Sequence, residues 1–223
     1  LQRFNHAFAA NSAEDFIRLI LVDQLKVRAV VTGEDFVFGH RRGGDAALLA
    51  AAAKNYGFTY TATPMQENEA GVISSSRIRD ALAAGDMVLA AKLLGRNYTL
   101  SGRIVKGEQR GRQWGFPTAN LIPSKLFYPA FGIYAVRLHL ATDSYTGVAN
   151  FGIRPMYPLQ SPLLEAHLLD ASPDLYGQQV RVELLHFLRP EARFADEDAL
   201  RVQIALDCDA ARQWLRSEVT SNI

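Results

Sequence analysis

Apolar positions in the first part of the chain follow two alternating rhythms. Ser12–Leu25 repeats them at helical spacing and opens with Ser12 followed three residues later by Asp15, a variant of the capping box, so an amphipathic helix is predicted there. VRAVVT (27–32) is a short apolar run of strand type, and GEDFVFGHRRGG (33–44) after it is a polar, glycine-rich loop. Asp45–Tyr56 is alanine-rich and helical, stopped by Gly57. FTYTA (58–62) predicts a second strand, and Ser75–Ala84 and Met87–Leu94 predict two helices ended by Gly85 and Gly95. Strands alternating with helices predict an α/β unit with a parallel sheet, although two strands are few for a complete doubly wound, Rossmann-like domain.

Near Gly95 the rhythm changes. YTLSGRIVK (98–106), GIYAVRLHL (132–140), YTGVANFG (145–152), LLEAHLLD (163–170) and QQVRVELLHFL (178–188) all read as strands, with turn residues in ATDS (141–144) and SPDLYG (172–177). In GIYAVRLHL, Ile133, Ala135, Leu138 and Leu140 are set against Tyr134, Arg137 and His139. Such a succession of short strands predicts a closed antiparallel β-barrel. Asp196–Ser217 is predicted to be a helix whose Leu200, Ile204, Ala211 and Leu215 form one stripe that docks on the barrel. The expected organisation is therefore all-β after α/β, with domains at 1–95 and 96–223.

Composition narrows this picture only slightly. Hydrophobic content of 48% and charged content of 21% match a globular chain with a sizeable core. A net charge of +1 gives no global case for a nucleic-acid or membrane partner, and no run approaches the ~18 apolar residues of a membrane helix. The single cysteine, Cys208, can make neither an internal disulfide nor a zinc site, which points to a reducing, cytoplasmic setting. The chain begins without methionine and in mid-pattern, so it is expected to continue upstream.

The densest chemistry lies in GRIVKGEQRGRQWGFPTAN (102–120). Gly107, Gly111 and Gly115 allow a loop to bring backbone N–H groups close to an anion, with Lys106, Arg110 and Arg112 supplying positive charge. Thr118 and Asn120, two residues apart in an extended segment, point the same way and offer a hydroxyl and a carboxamide oxygen, hard ligands of the kind magnesium accepts beside nucleotide phosphates. Glu165 shares a strand face with Leu163, His167 and Leu169, where a partly buried carboxylate suits a general base. Residue types alone leave the plain readings open as well: a solvated hairpin, edge-strand polar residues, and a glutamate on an exposed sheet face. His139, His167 and His186 show no metal spacing and read as structural.

Taken together, GFPTANL (115–121), GIYAV (132–136), GVANFGIRP (147–155), LEAHLLD (164–170), DLYG (174–177) and FLRPEARF (187–194) resemble the riboflavin kinase family in order and spacing, from about residue 95 to 217. The resemblance implies a small barrel that transfers the γ-phosphoryl group of ATP to the 5′-hydroxyl of riboflavin, giving FMN and ADP. It implies Mg2+ and nucleotide phosphates at Thr118 and Asn120, a catalytic base at Glu165, and a nucleotide-covering loop that includes Phe116. It places Asn150 and Arg154 on the flavin side. The usual threonine and phenylalanine after RP are Met156 and Tyr157 here, which puts the flavin-loop contacts in question.

The first half is similar to the adenylyltransferase half of the prokaryotic bifunctional riboflavin kinase/FAD synthetase, through GEDFVFG (33–39) and ISSSRIR (73–79). Gly33, Asp35, Ser74, Ser75, Arg77 and Arg79 carry that likeness, with Ser76 where a threonine is usual. Physically, Ser74–Ser76 open a helix whose N–H groups, with the two arginines, suit phosphates, and an ordinary serine cap explains them equally. The paired-histidine GxFDGxHxGH-type motif of that family is not in these residues, so this chain alone is expected to make FMN but not FAD. A barrel that binds flavin or nucleotide without catalysis is the alternative, distinguished by whether riboflavin and ATP yield FMN.

Overall fold

A computed structural model describes residues 2–107, 111, 115–124, 127–153 and 162–221. Arg110, Arg112 and Arg154 lie outside the described residues, as do Met156 and Tyr157. The chain forms two compact units, Leu1–Val72 and Ile73–Ile223.

The first unit begins with a short helix α1 (His6–Ala9) and α2 (Ala13–Asp15), which runs into a π-wound segment, Phe16–Gln24. Ser12 caps α2 as its sequence implies, its Oγ accepting from the Asp15 N–H at 3.0 Å. The predicted helix is thus present, but its second part closes i→i+5 bonds, such as Leu25 N–H to Ile20 O at 2.9 Å. β1 (Ala29–Gly33) and β2 (Thr59–Thr63) pair in parallel across α3 (Ala46–Tyr56). Asp45 caps α3, and Gly57 ends it in the left-handed conformation at φ 76°. A small hairpin, β3 (Glu67–Asn68) and β4 (Gly71–Val72), completes the unit. Its core is Ala13, Ile17, Phe38, Leu49, Ala52, Ala53 and Phe58. Gly39 is required there, because at its φ of 75° a Cβ would lie 2.6 Å from the Ala13 backbone.

The second unit opens with α4 (Ser75–Ala84) and α5 (Met87–Leu94) at their predicted bounds. The strands β5 (Tyr98–Val105), β6 (Thr118–Leu121), β7 (Gly132–His139), β8 (Ser144–Ile153), β9 (Pro162–Leu168) and β10 (Gln179–Pro190) follow, and then α6 (Glu197–Ser221). The strands close into an antiparallel barrel in the order β10-β5-β6-β9-β8-β7. The compact units therefore divide ahead of the change in sequence rhythm near Gly95. The reason is packing: Ala81, Leu82, Met87 and Ala90 of α4 and α5 share one core with the barrel interior, and Ala130 N–H donates to Leu82 O at 2.9 Å.

That interior contains Leu100, Ile104, Leu121, Tyr134, Val136, Leu138, Phe151, Leu164 and Val182. Tyr134 corrects the sequence reading of β7: it points into the barrel with Val136 and Leu138, its hydroxyl donating to the Ala130 carbonyl. Ile133 and Ala135 face outward into a second cluster with Val148, Leu169, Cys208 and Ala211, packed by Ile204, Trp214 and Leu215 of α6. Leu200 is only half-buried on that helix. Arg189 clamps α6 to β10 through a two-pronged pair with Asp207, Nε and Nη2 donating at 2.8 and 2.7 Å. Asp207 is 5% exposed and also accepts from Gln203 Nε2 at 2.9 Å.

Candidate active site

Three strands bring the polar residues into line on the outer barrel face. In the β6–β9 ladder Asn120 stands opposite Glu165, and in the β8–β9 ladder Glu165 stands opposite Asn150. Directly opposed residues of antiparallel strands share a face and lie side by side, so Asn120, Glu165 and Asn150 form one row. The next row contains Thr118, His167 and Val148. Their sequence neighbours Ala119, Leu121, Ala149, Leu164, Ala166 and Leu168 point into the barrel. Alternation therefore decides the site: the apolar set must go inward, which leaves the polar set outside.

Asn120 is 5% exposed, Glu165 and Thr118 are half-buried, and Asn150 Oδ1 is enclosed with no hydrogen-bond partner among the described residues. A shielded acceptor without a donor costs free energy unless a ligand supplies one. Gly107 lies against the Asn120 carboxamide so closely that a Cβ there would overlap it, and Phe116 N–H donates to Gly111 O at 2.8 Å. Lys106 is exposed at the end of β5, and Gly115 takes a left-handed turn at φ 83°. Phe116 packs toward the cluster beneath α6 and meets the His167 ring edge-on at 5.3 Å.

Thr118 also stands at the rim of a cavity of about 400 Å³ at the barrel mouth. Ile104, Ala119, Ala166 and Leu168 form its apolar floor, and the loop Ala171–Tyr176 closes one side. Sequence reasoning assigned no role to this loop. The signal was present in DLYG, where Asp174 accepts from Tyr176 N–H at 3.2 Å and Gly177 turns at φ 74°.

Of the residues in the other sequence group, Gly33 closes β1 and its carbonyl accepts from Phe36 N–H at 3.2 Å across the Asp35 turn. Ser74 is the N-cap of α4, its Oγ accepting from the Arg77 N–H at 3.3 Å, and Ser75 is the first residue of that helix. Arg79 Nη2 donates to Ser76 Oγ at 3.3 Å.

A riboflavin kinase family model matches residues 94–215, and an FAD synthetase model matches residues 1–77. The chain is 41% identical to the bifunctional riboflavin kinase/FMN adenylyltransferase of Haemophilus influenzae, over 96% of this chain and 70% of the relative. It is 44% identical to the protein of the same description from Escherichia coli K12, over 95% of this chain and 68% of the relative. The chain belongs to the bifunctional riboflavin kinase/FMN adenylyltransferase family. Among solved structures, one described as a macrolide-efflux protein from Streptococcus pneumoniae matches with a TM-score of 0.75 and 32% identity, over 95% of this chain and 68% of that one.

Within this riboflavin kinase barrel, two groups packed under α6, Cys208 and His186, have displaced acidity. Burial pushes the Cys208 thiol up to about 11, which makes it an inert core residue. Burial lowers the pKa of His186, whose ring stacks on Trp214 at 5.1 Å. No helix among the described residues is long and apolar enough to cross a membrane.

Proposed function

We propose that the outer face of the barrel is where riboflavin is phosphorylated, with Glu165 as the base. The observation that carries this reading is the row Asn120–Glu165–Asn150 beside Thr118, at the rim of the cavity and under the Gly107 chain. A cavity of about 400 Å³ with an apolar floor suits the base and sugar of a nucleotide. ATP then extends its phosphates past Thr118 toward Glu165. The flavin approaches from the Asn150 side, its 5′-hydroxyl next to the carboxylate.

In this reading the riboflavin oxygen attacks the γ-phosphorus while the bond to the β–γ bridging oxygen breaks. Glu165 takes the hydroxyl proton, and ADP and FMN are the products. Asn150 supplies an enclosed acceptor for a donor on the flavin side chain. Lys106 and the N–H groups near Gly107, Gly111 and Gly115 face the phosphates, and Arg110, Arg112 and Arg154 add charge by sequence position.

The donor set fits magnesium. Thr118 and Asn120 offer hard oxygens beside the Glu165 carboxylate, and among the described residues no group of three or more His, Cys, Asp and Glu competes as a cation site. Thr118 Oγ1 and the Asn120 side-chain oxygen would hold the ion, which when bound neutralises phosphate charge. Adenylyl transfer by Gly33, Asp35, Ser74, Ser75, Arg77 and Arg79 needs the paired-histidine motif, which is not among these 223 residues, so FMN without FAD is the expected product.

The test is riboflavin with ATP, with and without magnesium, read by chromatography. FMN formation that depends on magnesium and drops in Glu165→Gln supports the reading. Flavin binding with no FMN would make the barrel a binding module.

A further inference from the structure

The start of β6 carries Thr118, yet among the described residues it has a ladder partner on one side only. Asn120 and Leu121 pair with both β5 and β9, whereas Thr118 and Ala119 pair with β9 alone. Upstream of Thr118 the chain turns through Phe116 and Pro117, and proline cannot donate to a ladder. A side chain takes up the contact there. His167, directly opposite Thr118, places Nδ1 3.0 Å from Pro117 O and sets its ring edge-on to Phe116 at 5.3 Å and 79°. The His167 backbone is itself fixed: a Cβ on Gly147 of β8 would lie 2.5 Å from the His167 carbonyl oxygen.

We propose that His167 is a positioning residue for nucleotide binding, holding Pro117 so that the Thr118 hydroxyl stays at the cavity rim. The inference rests on the kinase reading above. A carbonyl oxygen only accepts, so Nδ1 must carry a proton and the neutral ring is the Nδ1–H tautomer. The loss of this bond loosens the end of β6 where it has no second ladder strand among the described residues, and Thr118 moves relative to the phosphates. Asn120, paired on both sides, and the flavin side at Asn150 are unaffected. The effect is therefore confined to the nucleotide.

The experiment uses the 223-residue chain with ¹⁵N-labelled histidine and three variants of position 167. His167→Asn keeps a donor near the Nδ1 position, His167→Phe keeps the ring against Phe116 without the donor, and His167→Ala removes both. The expected results are an Nδ1–H tautomer for His167 and a Kd for magnesium-ADP weakened about 10-fold in His167→Phe, the scale of one lost hydrogen bond. In the same variant the riboflavin Kd stays within about 2-fold, while His167→Asn recovers magnesium-ADP binding to within about 3-fold and His167→Ala is weakest. An Nε2–H tautomer would overturn the proposal. So would His167→Asn as weak as His167→Phe, wild-type nucleotide binding in His167→Phe, or equal losses of nucleotide and riboflavin binding. If His167→Phe fails to fold, the tautomer and His167→Asn decide. Failure of the unsubstituted chain to form FMN would sink the kinase reading instead, and the tautomer and ADP titrations would still judge the clamp.

Discussion

The outer face of the barrel differs between the part under α6, where β7 and Val148 of β8 carry a second apolar layer, and the part beyond it, where Asn120 of β6, Glu165 of β9 and Asn150 of β8 form a polar row. All four strands send large apolar side chains into the same interior: Tyr134 and Val136, Phe151, Leu121, Leu164. Their outer faces differ. Under α6 the outward residues are Ile133, Ala135 and Val148, sealed by Ala211, Trp214 and Leu215. Beyond the helix they are Thr118, Asn120, Glu165 and His167. A helix laid over half of a barrel thus divides its surface into a second core and a polar shelf. The shelf is rigid because its strands are anchored from inside, and its polar side chains are those that alternation turns away from that interior. Rigid elements hold reacting groups more accurately than loops do.

Four substitutions sharpen or break this contrast. The largest effect is expected at Glu165. Glu165→Gln should lower FMN formation by roughly 10²–10⁴-fold, the range of one general base, with riboflavin binding retained in a fluorescence titration. Retained turnover would remove the shelf from the chemistry. Under the helix, Asp207→Ala leaves the Arg189 guanidinium half-buried and unpaired, and should cost about 3–5 kcal/mol in chemical denaturation with nucleotide affinity of the folded chain unchanged. Gly107→Ala forces a methyl group into the Asn120 carboxamide and should slow turnover about 10–100-fold by displacing it, with a melting temperature close to that of the original chain.

The smallest effect is that of His186. Burial lowers its folded-state pKa, so the native fold favours the neutral ring while the unfolded chain takes up a proton near the ordinary value of 6.5. Its contribution is full above pH 6.5 and declines as pH falls below it. Thermal melts should show that decline, and His186→Phe, which keeps the stack on Trp214, should flatten it.

Where one face was buried and the other open, the strands were legible before the structure was known. In LLEAHLLD, Leu164, Ala166 and Leu168 alternate with Glu165 and His167, which puts Glu165 and His167 on the same side, as observed. GIYAVRLHL misled about Tyr134 because α6 buries the second face of β7 and erases the alternation. Local signals marked α4 and α5 to the residue and the end of α3 at Tyr56, while Asp45, read as helical, is the cap of α3. The i→i+5 winding of Phe16–Gln24 has no counterpart in a search that assumes 3.6 residues per turn. In the site, the Thr118–Asn120 spacing and Glu165 could be read directly, but the loop Ala171–Tyr176 could not, because its place beside Thr118 depends on barrel closure.

By itself the sequence determined which residues of β9 share a face, where α4 and α5 start and stop, and that an α/β part precedes a run of antiparallel strands. Those properties depend on neighbours within a few positions, through side-chain periodicity and backbone capping. Only the tertiary structure decided that Asn120, Glu165 and Asn150 form one row, that Gly107 rests on Asn120, and that the imidazole of His167 holds Pro117. These contacts join residues far apart in sequence, and the register of a closed barrel, fixed by packing of its whole interior, is what brings them together.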